Sequence, residues 1–292
     1  MIEELEKICK TIKNADLTIH NTYRLHSECY ALVFPNDVKE LITVLDKLSE
    51  YKTKYLILGN GSNVILPEYY DGVVIKLKGL NKCIVSDNEV YVEAGCMINK
   101  VANNLAKEGY KGLDFACGIP GTIGGSIYGN AGCYGSSISD TLISAIILDG
   151  RNTIELSNEE LKFGYRTSIL KEKKDWIVLS AKFKIEKTDK EELKKLIAER
   201  MQKRASSQPL EFPSCGSVFR NPEGLIAGKL IDDLGLKGTR VNGAVVSQKH
   251  ANFIINDGDA TGEDIISLIK KNKKEVKKEY VVDLDLEQEI IK

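Results

Sequence analysis

Tyr55-Leu56-Ile57-Leu58-Gly59-Asn60-Gly61-Ser62-Asn63-Val64-Ile65-Leu66-Pro67 is the stretch on which the fold turns. Its first four residues are apolar and read as a buried strand that runs straight into two glycines one residue apart. Residues 64–66 resume as a strand until proline stops it. Glycine takes positive φ without steric cost, so successive N–H groups in such a turn converge into an anion-binding nest. A Rossmann dinucleotide loop would carry a third glycine and open a helix, and this stretch does neither. The reading is strand, phosphate-binding turn, strand; for this turn alone, a tight hairpin without a ligand stays open.

Outward from it, strands and helices are mixed. Ile2, Leu5, Ile8 and Ile12 recur at helical spacing, as do Val38, Leu41, Ile42, Leu45 and Leu48, with Asp37 placed to cap the second helix. Strands are expected near 73–77 and 90–93, then a helix over 98–107 that Gly109 ends. A strand over 141–149 follows, and Ser157 with Glu160 reads as a capping box opening a short helix. Leu179, Ala181, Phe183 and Ile185 alternate with polar residues, a half-buried strand. Thr188 and Glu191 cap the next helix. A helix near 226–234, strands near 244–246 and 253–255, a helix over 262–278 capped by Thr261, and a last strand over 281–291 complete the chain. On that strand Leu284 and Leu286 share one face, with Glu287 and Glu289 on the other. Without regular strand–helix alternation the class is α+β. The divisions are an N-terminal helix over 1–15, a domain over 16–187 with subdomains 16–80 and 81–187, and a C-terminal domain over 188–292.

The second decisive stretch is Gly118-Ile119-Pro120-Gly121-Thr122-Ile123-Gly124-Gly125-Ser126, continuing through Gly129-Asn130-Ala131-Gly132. Seven of the chain's 24 glycines lie between Gly118 and Gly135. Each costs roughly 0.5–1 kcal/mol in regular structure, so the density makes sense where backbone lies against a flat or phosphorylated ligand. Ile119, Ile123 and Ile127 are buried-type residues, which a flexible linker would not carry.

Five ordered motifs carry a resemblance: the two glycine-rich stretches, Gly164-Tyr165-Arg166-Thr167-Ser168, Pro213-Ser214-Cys215-Gly216-Ser217-Val218-Phe219-Arg220-Asn221-Pro222, and Lys249-His250-Ala251-Asn252-Phe253. Together they resemble UDP-N-acetylenolpyruvoylglucosamine reductases, in the shorter form of that family, from about Asn21 to the end of the chain. The resemblance implies an FAD-binding fold of the vanillyl-alcohol-oxidase (PCMH) type, built of two α+β subdomains, with a separate C-terminal α+β substrate domain. It implies non-covalent FAD held by Gly59, Asn60, Gly61, Ser62, Asn63, Gly118, Ile119, Pro120, Gly121, Thr122, Gly124 and Gly125, with NADPH as reductant. The implied reaction turns UDP-N-acetylglucosamine enolpyruvate into UDP-N-acetylmuramate for peptidoglycan precursors.

The resemblance also implies three catalytic residues. Hydride addition to the enol ether leaves negative charge on the neighbouring carbon and its carboxylate, which the Arg166 guanidinium would stabilise. Ser217 would protonate that carbon as general acid, and Glu289 would assist. Tyr165, Arg220, Asn221 and His250 are candidates for the UDP-sugar, Arg220 by forking onto diphosphate. One departure stands out: many relatives have a Gly-Gly-Pro turn where this chain has Arg24-Leu25-His26-Ser27-Glu28.

Composition excludes several classes. The formal charge of −1 gives no global field for nucleic acid or anionic membrane. The six lysines between Lys270 and Lys278 read as a solvated helix end. Seven scattered cysteines without a Cys-x-x-Cys pair argue against a disulfide framework or metal site and for a reducing, cytoplasmic setting. The acidic start, Met1-Ile2-Glu3-Glu4, is unlike a secretory signal. No nucleic-acid, membrane or obligate protein partner is expected. Two rivals remain: an oxidase of the same fold, which would tether FAD through a histidine where this chain has Asn63, and a nucleotide-binding module without catalysis.

Overall fold

The computed structural model describes residues 1–292, which cluster into two compact units. The first comprises Met1–Lys13, Ala31–Asn60 and Gly72–Gln202; the second comprises Asn14–Tyr30, Gly61–Asp71 and Lys203–Lys292. The units therefore interleave in sequence. Two short pieces inside 16–187 cluster with the C-terminal residues, and most of the helix expected after Thr188 clusters with the first unit. No helix is long and apolar enough to cross a membrane.

In the first unit, helices α1 (Ile2–Ile8) and α2 (Val38–Glu50) open the chain. Asp37 caps α2 as expected, its carboxylate accepting from the Glu40 N–H at 2.8 Å. The helix predicted through Ile12 stops at Ile8, because Lys10–Asp16 is drawn into a four-stranded sheet ordered Lys10–Asp16, Glu28–Phe34, Tyr69–Ile75, Tyr55–Ile57. Tyr55–Ile57 lies parallel to Val73–Ile75. A second sheet, of five antiparallel strands, runs Asn152–Ser157, Leu142–Asp149, Trp176–Lys184, Glu89–Glu93, Cys83–Ser86. Helix α3 (Ile98–Lys107) buries Ile98, Val101, Ala102 and Leu105, one face at helical spacing.

Three local expectations change. Residues taken as loop form a short helix, α4 (Ile123–Tyr128), capped by the Thr122 hydroxyl. Ser157 and Glu160 exchange the reciprocal capping bonds, yet only a turn follows, since the backbone returns toward Gly164. Helix α5 (Lys190–Ser207) is started by Asp189, which accepts from the N–H groups of Glu191 and Glu192, rather than by Thr188. Arg200 on α5 pairs with Asp114, both half-buried.

The second unit packs α6 (Ala227–Asp233) and α7 (Gly262–Tyr280) with the antiparallel strands Arg240–Val241, Ala244–Val246 and Ile254–Asn256. Its core joins Tyr23, Leu25, Ile65, Phe219, Ile231, Val246, Ile254, Leu268 and Leu284. The long last strand of the sequence reading is shortened to Glu289–Ile290, parallel to Val64–Ile65. Upstream, the pairing of the chain is one isolated bridge from Leu286 to Phe219.

Candidate active site

In the first unit the strand Tyr55–Ile57 delivers Gly59 and Asn60 to the second glycine-rich stretch. The Asn60 amide donates to the Pro120 carbonyl at 2.7 Å. A Cβ on Gly59 would stand 2.7 Å from the Thr122 hydroxyl oxygen, so only glycine lets the two segments close this far. Lys76, just past the strand Tyr69–Ile75, donates its ammonium to the Gly59 carbonyl. Gly118, Ile119 and Pro120 lead into this contact, and the Gly121 carbonyl accepts from the Ile98 N–H that begins α3. Gly124 faces the five-stranded sheet at Ala94 and Val178, while Gly125 donates its N–H to Thr122. The Ser126 hydroxyl is buried without a hydrogen-bond partner, and a Cβ on Gly121 would lie 3.2 Å from it.

Tyr165 and Arg166 sit at the tip of a turn closed by mutual backbone bonds between Gly164 and Thr167. The buried Asn130 amide holds that turn by donating to the Gly164 carbonyl at 2.9 Å. Arg166 has a left-handed φ of 58°, an uncommon conformation outside glycine that persists only when the surroundings impose it. Its guanidinium donates to the Gly132 carbonyl at 2.9 Å and lies 5.4 Å from the centre of the exposed Tyr165 ring.

In the second unit, Gly61 takes a φ of +68°, and a Cβ there would overlap the His20 carbonyl oxygen. The local fold itself requires glycine at this point. Ser62 is half-buried, and Asn63 donates to the Glu287 carbonyl at 3.0 Å. Glu289 is tied to the same segment, its N–H donating to the Asn63 carbonyl at 2.9 Å. The segment around Ser217 runs beside this last stretch, with the Glu287 N–H donating to the Val218 carbonyl at 2.9 Å. Between them stands Gln288, buried to 3% exposure. Its amide donates to the carbonyls of Cys215 at 3.2 Å and Gly216 at 3.4 Å, and its oxygen accepts from the buried Tyr23 hydroxyl at 3.0 Å. Ser217 and Glu289, both half-buried, are thus attached to either side of one buried amide.

The other candidates fall nearby in sequence but differ in setting. The Arg220 backbone N–H donates to the Asp285 carbonyl. Asn221 accepts from the Ala227 N–H that starts α6, a helix-ordering bond. His250 packs its ring 4.8 Å from that of Phe253 and accepts from the Asn252 N–H on Nδ1; burial pushes its pKa down, favouring the neutral ring.

Sequence reasoning did not single out Gln288, Asn252, Cys215 or Lys76. Asn252 clamps Phe219 through both backbone groups, at 2.9 and 2.8 Å. Cys215 is buried against Thr22 and the Gly61 carbonyl, and burial pushes its thiol up to about 11. The signal for Lys76 was in view: one cation ending the apolar run Val73-Val74-Ile75. Gln288 carried none, because a glutamine between two glutamates reads as surface.

Comparison with known proteins adds independent findings. A family model described as FAD binding domain matches residues 30–156. Another, UDP-N-acetylenolpyruvoylglucosamine reductase, C-terminal domain, matches residues 208–291. The UDP-N-acetylenolpyruvoylglucosamine reductase of Caldanaerobacter subterraneus subsp. tengcongensis is 42% identical, covering 100% of this chain and 98% of its own. That of Bacillus subtilis is 38% identical with the same coverage. The crystal structure of the Thermus caldophilus reductase aligns with a TM-score of 0.83 at 31% identity, covering 97% of this chain and 99% of that one.

Proposed function

The chain belongs to the family of UDP-N-acetylenolpyruvoylglucosamine reductases, and on that premise we propose which of its residues carry the reaction. The reaction is NADPH-dependent reduction of UDP-N-acetylglucosamine enolpyruvate through FAD, in peptidoglycan precursor synthesis. FAD, when bound, supplies hydride to the terminal carbon of the enol ether after being charged by NADPH. The residues present fit such a group. The Gly59–Asn60 turn and the 118–122 segment close on one another through the Asn60 amide, with Gly59 leaving room for the Thr122 hydroxyl, and the orphaned Ser126 hydroxyl offers a buried polar atom beside Gly121. With Asn63 and no histidine in that turn, the flavin is held non-covalently.

Arg166 stabilises the charge that develops on the carbanionic carbon and its carboxylate, its guanidinium being oriented by the Gly132 carbonyl. Ser217 protonates that carbon, and Glu289 supports the transfer. Arg220, Asn221, His250 and Tyr165 serve the UDP-sugar. The site works in the cytoplasm, where NADPH and the nucleotide substrate are found. The observation that carries this reading is the buried Gln288 amide, which ties the turn before Ser217 to the strand bearing Glu289. The test is an anaerobic titration. NADPH should bleach the flavin, and the enolpyruvyl nucleotide should then restore its oxidised spectrum one for one. A flavin that stays reduced until oxygen is admitted would favour an oxidase.

A further inference from the structure

Lys76 is 4% exposed. It ends the apolar strand Tyr69–Ile75, and its backbone N–H donates to the Val33 carbonyl at 3.0 Å. Its ammonium meets the Gly59 carbonyl, a single acceptor for a group with three donors, and no carboxylate faces it. The neighbouring charge that bears on it is another cation, Lys78. Gly59, Asn60, Pro120, Thr122 and Val33, which surround it or adjoin its acceptor, carry no titratable group. Taking an ammonium out of water without a counter-ion is strongly unfavourable. A Met or Leu would fill the same apolar strand end without that cost. The charge is therefore explained by something that arrives, and it sits directly behind the turn that Asn60 closes onto Pro120.

We propose that Lys76 is the buried counter-charge for the diphosphate of the flavin dinucleotide, holding the Gly59–Asn60 turn from behind while its positive charge awaits the anion. The inference rests on the reading that the two glycine-rich segments hold FAD. Burial and Lys78 together bring the ammonium down to about 8 in the protein without ligand. An anion nearby favours the charged form and raises that value. The sign follows: FAD affinity is full below pH 8 and falls as pH rises through 8, because the proton must then be taken up on binding.

The test is FAD titration of apoprotein, followed by flavin fluorescence, for the native chain and for Lys76→Met between pH 6.5 and 9.5. In the native chain affinity should fall up to tenfold per pH unit above about 8, whereas Lys76→Met should be weaker by roughly 30-fold or more at pH 7 and flat with pH. Melting of the apoproteins separates a counter-charge from a strut. Removing an uncompensated charge should leave apo Lys76→Met at least as stable as the native chain, while a lysine needed only to pin Gly59 would lower both stability and affinity. The pH profile of the native chain tests the idea even if the variant fails to fold. Normal FAD affinity in Lys76→Met with lost affinity in Gly121→Val would overturn the counter-charge and leave the loops standing. Normal affinity in both would overturn the loop reading itself.

Discussion

Replacing Gln288 with leucine should uncouple Ser217 from Glu289. The substitution keeps the side chain's bulk but removes the acceptor of the Tyr23 hydroxyl and the donor to the Cys215 and Gly216 carbonyls. Tyr23 is fully buried, so its hydroxyl cannot turn to water. An orphaned buried polar group costs about 1–3 kcal/mol, and the two carbonyls, sharing one long-armed donor, add about 1 kcal/mol more. Leucine's apolar gain offsets about 1 kcal/mol of this, leaving a net loss of roughly 1–3 kcal/mol. At roughly 2 °C per kcal/mol for a chain this long, the melting temperature should drop by roughly 2–6 °C. Adding Tyr23→Phe removes the stranded hydroxyl, so the double variant should recover most of that stability, since replacing both partners by apolar groups is near neutral. It should not recover catalysis: flavin reoxidation by the enolpyruvyl nucleotide should stay slow in both variants, with reduction by NADPH unchanged. Differential scanning calorimetry and anaerobic stopped-flow measure the two quantities. If reoxidation keeps its native rate while the melting temperature falls, the amide is a core brace with no hold on the reacting groups.

Gly121→Val should lose flavin with the fold intact, because the position has neither a left-handed φ nor more than the Ser126 hydroxyl and the Ile119 side chain beside it. Gly61→Val should instead destabilise the protein, since a side chain there meets the His20 carbonyl; equal melting temperatures for the two would contradict this. Asp114 lies low: burial alone would raise it, but the Gly112 N–H and the Arg200 guanidinium outweigh burial and hold it below the usual carboxylate range. Its stabilising contribution is therefore present above about pH 4 and lost as pH falls through the lowered value. Asp114→Asn should flatten that part of the acid-unfolding curve, and an unchanged curve would refute the assignment. Glu289→Gln should abolish turnover without releasing flavin, as measured by turnover and bound absorbance together.

Much of this was legible because local chemistry and packing agree. Asp37 and Thr261 cap α2 and α7 where their spacing says, and the strand–turn–strand around Gly59 forms as written. What failed did so through tertiary competition. Ile12 fits a helical stripe, but sheet pairing takes its segment. Ser157 and Glu160 satisfy each other without a helix to cap. Leu284 packs inward as expected, yet the 281–288 segment has too few pairing partners to be strand. Motifs point to the groups proposed to do chemistry, whereas the groups that hold their segments act by burial. Gln288, Asn252 and Lys76 are polar residues whose meaning depends on being 3–4% exposed, and no pattern along the chain encodes that.

The most direct test of the mechanism is the pair of half-reactions in Ser217→Ala. Hydride transfer from NADPH needs no proton from this serine, so flavin reduction should keep its native rate. Reoxidation by the enolpyruvyl nucleotide needs the substrate carbon protonated before hydride returns, and a general acid is worth about 10²–10⁴-fold. The account predicts reoxidation slowed within that range, with Ser214→Ala near native as control. Slowing of both half-reactions by the same factor would make Ser217 a structural residue and contradict its role as the acid.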